Sequence, residues 1–227
     1  MTRPDMSIKV ERKLHDMRIL GRIVGVRSTE QFVWHLLTPT SYKRNIEIAT
    51  NQNPLTKLPG NNQIEKFIDK SFKKNQKDIT HIIYFDFNDF KPFNDIYGFR
   101  QGDRAILIFS ELLQKRYSKD SFIAHIGGDD FFVGLKNKDK EDVFELTSNI
   151  QDEFRNSAKN IYSKEDKKNG FIISKDRFNE KRRFELLSVS AAIIEINSKS
   201  DISNFDNTLN IVKKASKNSK KPIYSIL

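Results

Sequence analysis

The feature that most constrains this chain is the run from Ile79 to Phe87, Ile-Thr-His-Ile-Ile-Tyr-Phe-Asp-Phe, which is nearly all apolar yet carries a carboxylate, Asp86, at its end. A stretch of this kind, rich in isoleucine and aromatic residues, is what a central strand covered on both faces requires. The carboxylate is costly in such a place unless it is paired or holds a cation, and ligands of α/β sheets gather at strand C-terminal ends. The bland alternative for Asp86 is that it caps the turn or helix that follows.

The flanking chain supplies the covering layers. Residues 62–74 place Ile64, Phe67, Ile68 and Phe72 at helical spacing. Residues 100–117 carry Ile106, Leu107, Phe109, Leu112 and Leu113 on a helix that opens after Gly98, and residues 139–158 turn Val143, Phe144, Leu146, Ile150 and Phe154 inward. Two short strands, 121–126 and 130–135, flank Gly127-Gly128 as in a hairpin. Residues 187–196 read as a second buried strand, 203–218 as a helix and 222–227 as a closing strand. Between 160 and 185 lies a polar insertion with turns at Asn169-Gly170 and at 176–179, read as an exposed hairpin of Phe171–Lys175 and Lys181–Phe184. These elements predict an α/β fold, a mixed central β-sheet covered by helices.

Asn53-Pro54-Leu55-Thr56-Lys57-Leu58-Pro59-Gly60 punctuates the chain and separates an N-terminal extension and connecting helix, residues 1–50, from a domain spanning 51–227. In the extension, 7–27 suggests short strands around Gly21 and Gly25, and 29–50 a helix interrupted near Pro39. Cysteine is absent, which excludes disulfides, thiolate metal sites and cysteine nucleophiles. No apolar run approaches the ~18 residues of a membrane span and the N-terminus lacks a signal-peptide core, so a soluble, cytoplasmic protein is expected. The net charge of +10 raises a nucleic-acid-binding reading. The positive residues are spread along the chain, however, without a stacking platform or groove-reading helix, and a solvated surface that partly faces nucleotide phosphates accounts for them better.

Three clusters carry chemistry: Asp86 to Lys91, the turn Gly127-Gly128-Asp129-Asp130-Phe131, and the set Asn94, Asp95, Gly98, Gly102 and Asp103. Paired glycines let another group approach the backbone, and adjacent acids attract a hard cation. Asn and Asp side chains suit a guanine edge, although Asp95 and Asp103 also sit where helix caps would fall. His15, His35 and His81 share no ligand spacing and read as structural; Ser188 and Ser190 lack a histidine partner, so a hydrolase has no support.

In order and separation, NPLTKLPGN (53–61), FDFNDFKPFNDIYGFRQGD (85–103) and IGGDDF (126–131) resemble the GGDEF, or diguanylate cyclase, family over roughly residues 50–227. Its members open with D-x-L-T-x-L-P-N, continue with D-x-D-x-F-K-x-x-N-D-x-x-G-H-x-x-G-D and reach G-G-D-E-F on a hairpin. The opening and the insertion are most similar to a branch found beside EAL phosphodiesterase and CBS domains. The resemblance implies a ferredoxin-like core and specific roles. Asp86 and Asp129 would hold Mg²⁺ (or Mn²⁺) with the carbonyl of Phe87, while Asn94 and Asp103 would read guanine, with Phe90 beside the substrate. Lys91 would stabilise phosphate charge, and Asp129 with Asp130 would activate a 3′-hydroxyl. Two GTP would then condense into cyclic di-GMP with release of pyrophosphate, in a homodimer because each domain holds one GTP.

The chain departs from that pattern at several points. Asn88 replaces the second acid of D-x-D, Phe99 a histidine, His125 an arginine and Asp130 a glutamate. The K-x-x-G-R-N signature is missing, leaving Lys214, Lys217, Lys220 or Lys221 to face phosphate, with Lys217 and Lys220 carried as candidates. Ser-Lys-Asp-Ser at 118–121 replaces the R-x-x-D product-inhibition motif, so tight product feedback is not expected. These departures keep two alternatives beside the cyclase: a degenerate module that binds GTP and regulates a partner, and a basic nucleic-acid-binding domain.

Overall fold

The computed structural model describes residues 51–73, 78–175, 179–219 and 221–227. The chain divides into two units, 1–49 and 50–227, of which the described residues belong to the second. The expectations for residues 1–50 therefore lie outside the described residues, as do Lys220 and most of the second insertion turn.

In chain order the elements are α1 (Asn61–Phe72), β1 (Thr80–Asn88), α2 (Phe90–Tyr97), α3 (Phe99–Arg116), β2 (Phe122–Gly127), β3 (Asp130–Lys136), α4 (Lys140–Ala158), α5 (Lys164–Asn169), β4 (Phe171–Lys175), β5 (Lys181–Glu185), β6 (Ser188–Ile196), α6 (Phe205–Ser216) and β7 (Ile223–Ile226). Five strands form one sheet in the order β2-β3-β1-β6-β7, and β4 pairs with β5 in a separate hairpin. β1 lies centrally, antiparallel to both β3 and β6, whereas β7 joins β6 in parallel. The mixed, helix-covered sheet predicted from the alternation is the one observed.

Period-2 alternation along β1 divides the core. Ile83, Phe85 and Phe87 point into the larger cluster, against Ile106, Phe109 and Leu113 of α3 and Ile150 and Phe154 of α4. Ile82 and Tyr84 point the other way, towards Ile64 of α1 and Phe205 and Val212 of α6. Phe87, Phe109, Phe131 and Phe154 meet at ring-centroid distances of 4.6–6.2 Å, so the many phenylalanines pack as a connected aromatic interior.

Three expectations change. A short helix, α2, stands in the segment after β1, to which the periodicity assigned no element; Gly98, with φ 79°, separates it from α3, which opens after that glycine as expected. The insertion contains a helix, α5, capped by the Ser163 hydroxyl accepting from Asp166 N–H, so the Asn169-Gly170 turn signal is the left-handed Gly170 that ends this helix. The β4–β5 hairpin is not simply exposed, because Ile172 is buried in the main core.

Candidate functional site

The site begins at the end of β1. Asp86 pairs in register with Asp130 on β3 and Ser190 on β6, inside the strand and not beyond it. It does not cap α2; Asp89 precedes that helix in a left-handed conformation, with no side-chain cap bond. Opposite residues of an antiparallel pair share a face, so the Asp86 and Asp130 carboxylates lie on the α6 side with Tyr84. Burial raises the Asp86 carboxyl above its ordinary value, and Asp130 adds to this, while Lys217 and Lys213 pull it back. Burial, followed by a hydrogen bond to the Asp130 carboxylate and its charge, pushes the Tyr84 hydroxyl upward, so it stays protonated as a donor.

Lys213 on α6 and Lys217, the residue at its C-cap, answer these acids. The Lys217 ammonium donates to Asp86 Oδ1 at 2.5 Å and to the Phe87 carbonyl at 2.8 Å. One turn earlier, the Lys213 ammonium lies 3.6 Å from the Tyr84 ring centroid. Lys213 is absent from the residues singled out by sequence. Its signal was there: Lys213-x-x-Ser216-Lys217-Asn218 reproduces the spacing of K-x-x-G-R-N, with Ser for Gly and Lys for Arg. Lys214 and Lys221 are exposed, and neither contacts these acids.

The second part is the β2–β3 turn. Gly127 and Gly128 have φ of 150° and 58°, which other residues adopt only with strain, and they set Asp129 at the tip before Asp130 starts β3. Burial first, then the Asp86 charge, raises the Asp129 carboxyl. His125 holds this turn from below. Its ring stacks on Phe131, Nε2 meets the Gly128 carbonyl at 3.0 Å, and Nδ1 meets Thr56 Oγ1 at 3.1 Å. A neutral ring that donates from Nε2 and accepts at Nδ1 satisfies both contacts, and burial lowers its pKa accordingly. The histidine in the family's arginine position is thus a buried brace between the signature turn and the opening loop.

Asn88 is spent differently from an acid. Its amide donates to Ser188 Oγ at 3.0 Å and its carbonyl accepts from Ser190 Oγ at 2.7 Å. The two serines with no hydrolytic partner have this cross-strand role.

The third part lies across β1, between α2 and α3. Asn94 Oδ1 is buried with no hydrogen-bond partner among the described residues. A Cβ on Gly102 would fall 2.1 Å from that oxygen and 3.2 Å from the Phe90 ring, so glycine there is what gives Asn94 its place. Asp103 follows on the exposed side of α3; neither it nor Asp95 is an N-cap, the residue before α3 being Gly98. Lys91 is exposed on the first turn of α2, and Phe99 is 80% exposed. An orphaned acceptor in a glycine-made recess, beside an exposed carboxylate, is fitted to a donor-bearing planar edge.

For a divalent cation, the chemistry of the donors fits. Asp86 and the Phe87 carbonyl already converge on a bound ammonium, and Asp129 faces Asp86 closely enough to be perturbed by its charge. Among the described residues no three acidic or histidine side chains gather as a closed cage. An open hard-oxygen set, completed by water and phosphate, is the Mg²⁺ pattern.

A sequence profile described as "Diguanylate cyclase, GGDEF domain" matches residues 50–174, more than half of the chain, and the protein belongs to this family. A diguanylate cyclase, DgcP, of Pseudomonas aeruginosa is 30% identical over 131 residues, covering 55% of this chain and 19% of that protein. A diguanylate cyclase of Vibrio cholerae is 23% identical over 139 residues, covering 60% of this chain and 42% of that one. The chain thus spans less than half the length of these curated relatives. In fold it is similar to the GGDEF domain of DgcB from Caulobacter crescentus, solved with c-di-GMP, with a TM-score of 0.59 at 18% identity over 78% of this chain and 95% of that one. No helix among the described residues is long and apolar enough to cross a membrane.

Proposed function

We propose that residues 51–227 form a diguanylate cyclase domain that binds GTP with Mg²⁺ or Mn²⁺ and, as a homodimer, condenses two GTP into cyclic di-GMP in cytoplasmic second-messenger signalling. The observation that carries this reading is the convergence of the Asp86 carboxylate and the Phe87 carbonyl on one cation position, beside Asp129.

In this reading Asp103 accepts from the guanine N1–H and exocyclic amine, and the orphaned Asn94 oxygen takes a remaining donor. Asp86, Asp129 and the Phe87 carbonyl hold the cation, which when bound neutralises charge on the triphosphate. Lys213 and Lys217 face the phosphates from α6, and Lys91 adds charge from α2. Asp129, with Asp130, accepts the proton of the 3′-hydroxyl, and burial and the Asp86 charge, which raise its carboxyl, make it a better proton acceptor than a solvated aspartate. The 3′-oxygen then bonds to the α-phosphorus of the GTP on the facing domain, while the bond to the pyrophosphate oxygen breaks. Each domain supplies one nucleotide, so turnover depends on two copies meeting. An EAL or CBS domain elsewhere in the full protein is a further part of this reading.

A purified dimer incubated with GTP and Mg²⁺ tests it directly, with cyclic di-GMP and pyrophosphate expected; absence of product from a confirmed dimer removes the enzymatic claim. Asn88, committed to Ser188 and Ser190, favours the alternative of a domain that binds GTP without turnover. Calorimetry separates the two, since that alternative gives GTP binding weakened by Asp103→Ala and no product.

A further inference from the structure

Lys217 has its ammonium on the same two oxygens that the proposed cation would need. A primary ammonium at 2.5 and 2.8 Å from Asp86 Oδ1 and the Phe87 carbonyl uses the lone pairs that point at the cation position. Two cations cannot share those oxygens at such distances, because their mutual repulsion in a half-buried setting exceeds what either regains. The lysine stem is flexible and exposed, and it has somewhere to go. A cavity of about 700 Å³ lies alongside, its lining including Lys217 itself, the acids Asp89 and Glu185, and Arg155, Asn218 and Ser219.

We infer that Lys217 is a tethered internal cation that holds the Asp86–Phe87 position in the metal-free protein and is displaced when a divalent ion arrives. This rests on the cation site of the proposed function and goes beyond it. In the metal-free state Lys217 offsets the repulsion among Asp86, Asp129 and Asp130. Metal entry releases it towards the phosphates, so metal and triphosphate favour each other's binding. By linkage, the affinity that metal gains when Lys217 is already held by phosphate equals the affinity that phosphate gains when metal has freed Lys217.

The test is a titration with Mn²⁺ alone, without nucleotide, read by the loss of the free-ion paramagnetic resonance signal. Lys217→Met is expected to bind Mn²⁺ roughly tenfold more tightly than the parent, within the usual range of coupling between sites. Lys217→Arg keeps the charge and should stay near the parent. Lys213→Met removes the same charge from the same helix without vacating the Asp86 oxygens, so it should shift affinity several-fold less. Lys217→Gln gives a second neutral variant should the methionine disturb folding. Equal or weaker Mn²⁺ binding by both neutral Lys217 variants, or an equal gain in Lys213→Met, overturns the inference while leaving the cation site intact. Asp86→Asn reports on the site itself: if no variant shows Asp86-dependent Mn²⁺ binding, the cation site of the proposed function fails as well.

Discussion

The two halves of the candidate site are held by opposite means. Between α2 and α3, Asn94 and Gly102 are set by shape: the glycine leaves space, Phe90 and the buried Phe93 fix the helix, and no ion pair among the described residues is involved. Beyond α2 the insertion adds to this rigidity, since the Tyr97 hydroxyl bonds Asp166 and accepts from Ser163 N–H, and Phe93, Tyr97 and Tyr162 pack ring to ring. Between β1, β3 and α6, by contrast, Asp86, Asp129 and Asp130 feel one another's charge and are balanced by lysines on long stems. A recess for a base can be finished in the free protein. Under the proposed function a charge site cannot, because its balance would wait for the metal and phosphates that complete it, so its acids are left poised.

Breaking the charged half should have the largest effect. Asp86→Asn removes a carboxylate facing both the cation position and Lys217, and turnover should fall on the order of a hundredfold or more, measured as pyrophosphate release. GTP should still bind through the base recess. Next comes the shape-determined half. Gly102→Ala drives a methyl into Asn94 Oδ1, and about 1–3 kcal/mol of overpacking should appear as weaker GTP binding, with Mn²⁺ binding unchanged by titration. Gly134→Ala is its counterpart away from the site: a Cβ there would lie 2.2 Å from the Phe67 ring, so stability should fall by about 1–3 kcal/mol in denaturant melts, with GTP affinity per folded molecule intact.

The smallest effect sharpens the contrast most. Asp129 has its carboxyl raised by burial and by Asp86, so in the folded protein it keeps its proton at pH values where the unfolded chain has lost it. Its ionisation therefore costs stability as pH rises from about 3.8 through the folded value. Asp129→Asn should raise the metal-free melting temperature by about 2 °C at pH 7, and the gain should vanish as pH falls towards 4. Adding Mg²⁺ should stabilise the parent and not the variant.

Much of this was legible in advance. The run from Ile79 to Phe87 announced the central strand, and the helical periodicity of 62–74, 100–117 and 139–158 returned α1, α3 and α4 within a residue or two. The helix α2 escaped because it is eight residues long, lacks a capping side chain and is held chiefly by tertiary contacts such as Phe93. Lys213 escaped because Ser216 and Lys217 stand where the signature has glycine and arginine. What remained was its spacing, two lysines one turn apart at the C-terminal end of α6 facing the same acids.

The sequence by itself determined the layers and the ordered acids, since apolar periodicity dictates which faces are buried and a buried strand tolerates a carboxylate only for a reason. Only the tertiary structure decided who answers those acids. Lys217 stands 131 positions from Asp86 along the chain, and Asn88 is over a hundred from Ser190. Such pairings depend on strand register and helix docking, which no local pattern encodes, and they are what turned two apparent defects into specific contacts: Asn88 into a cross-strand bond, His125 into a brace for the turn.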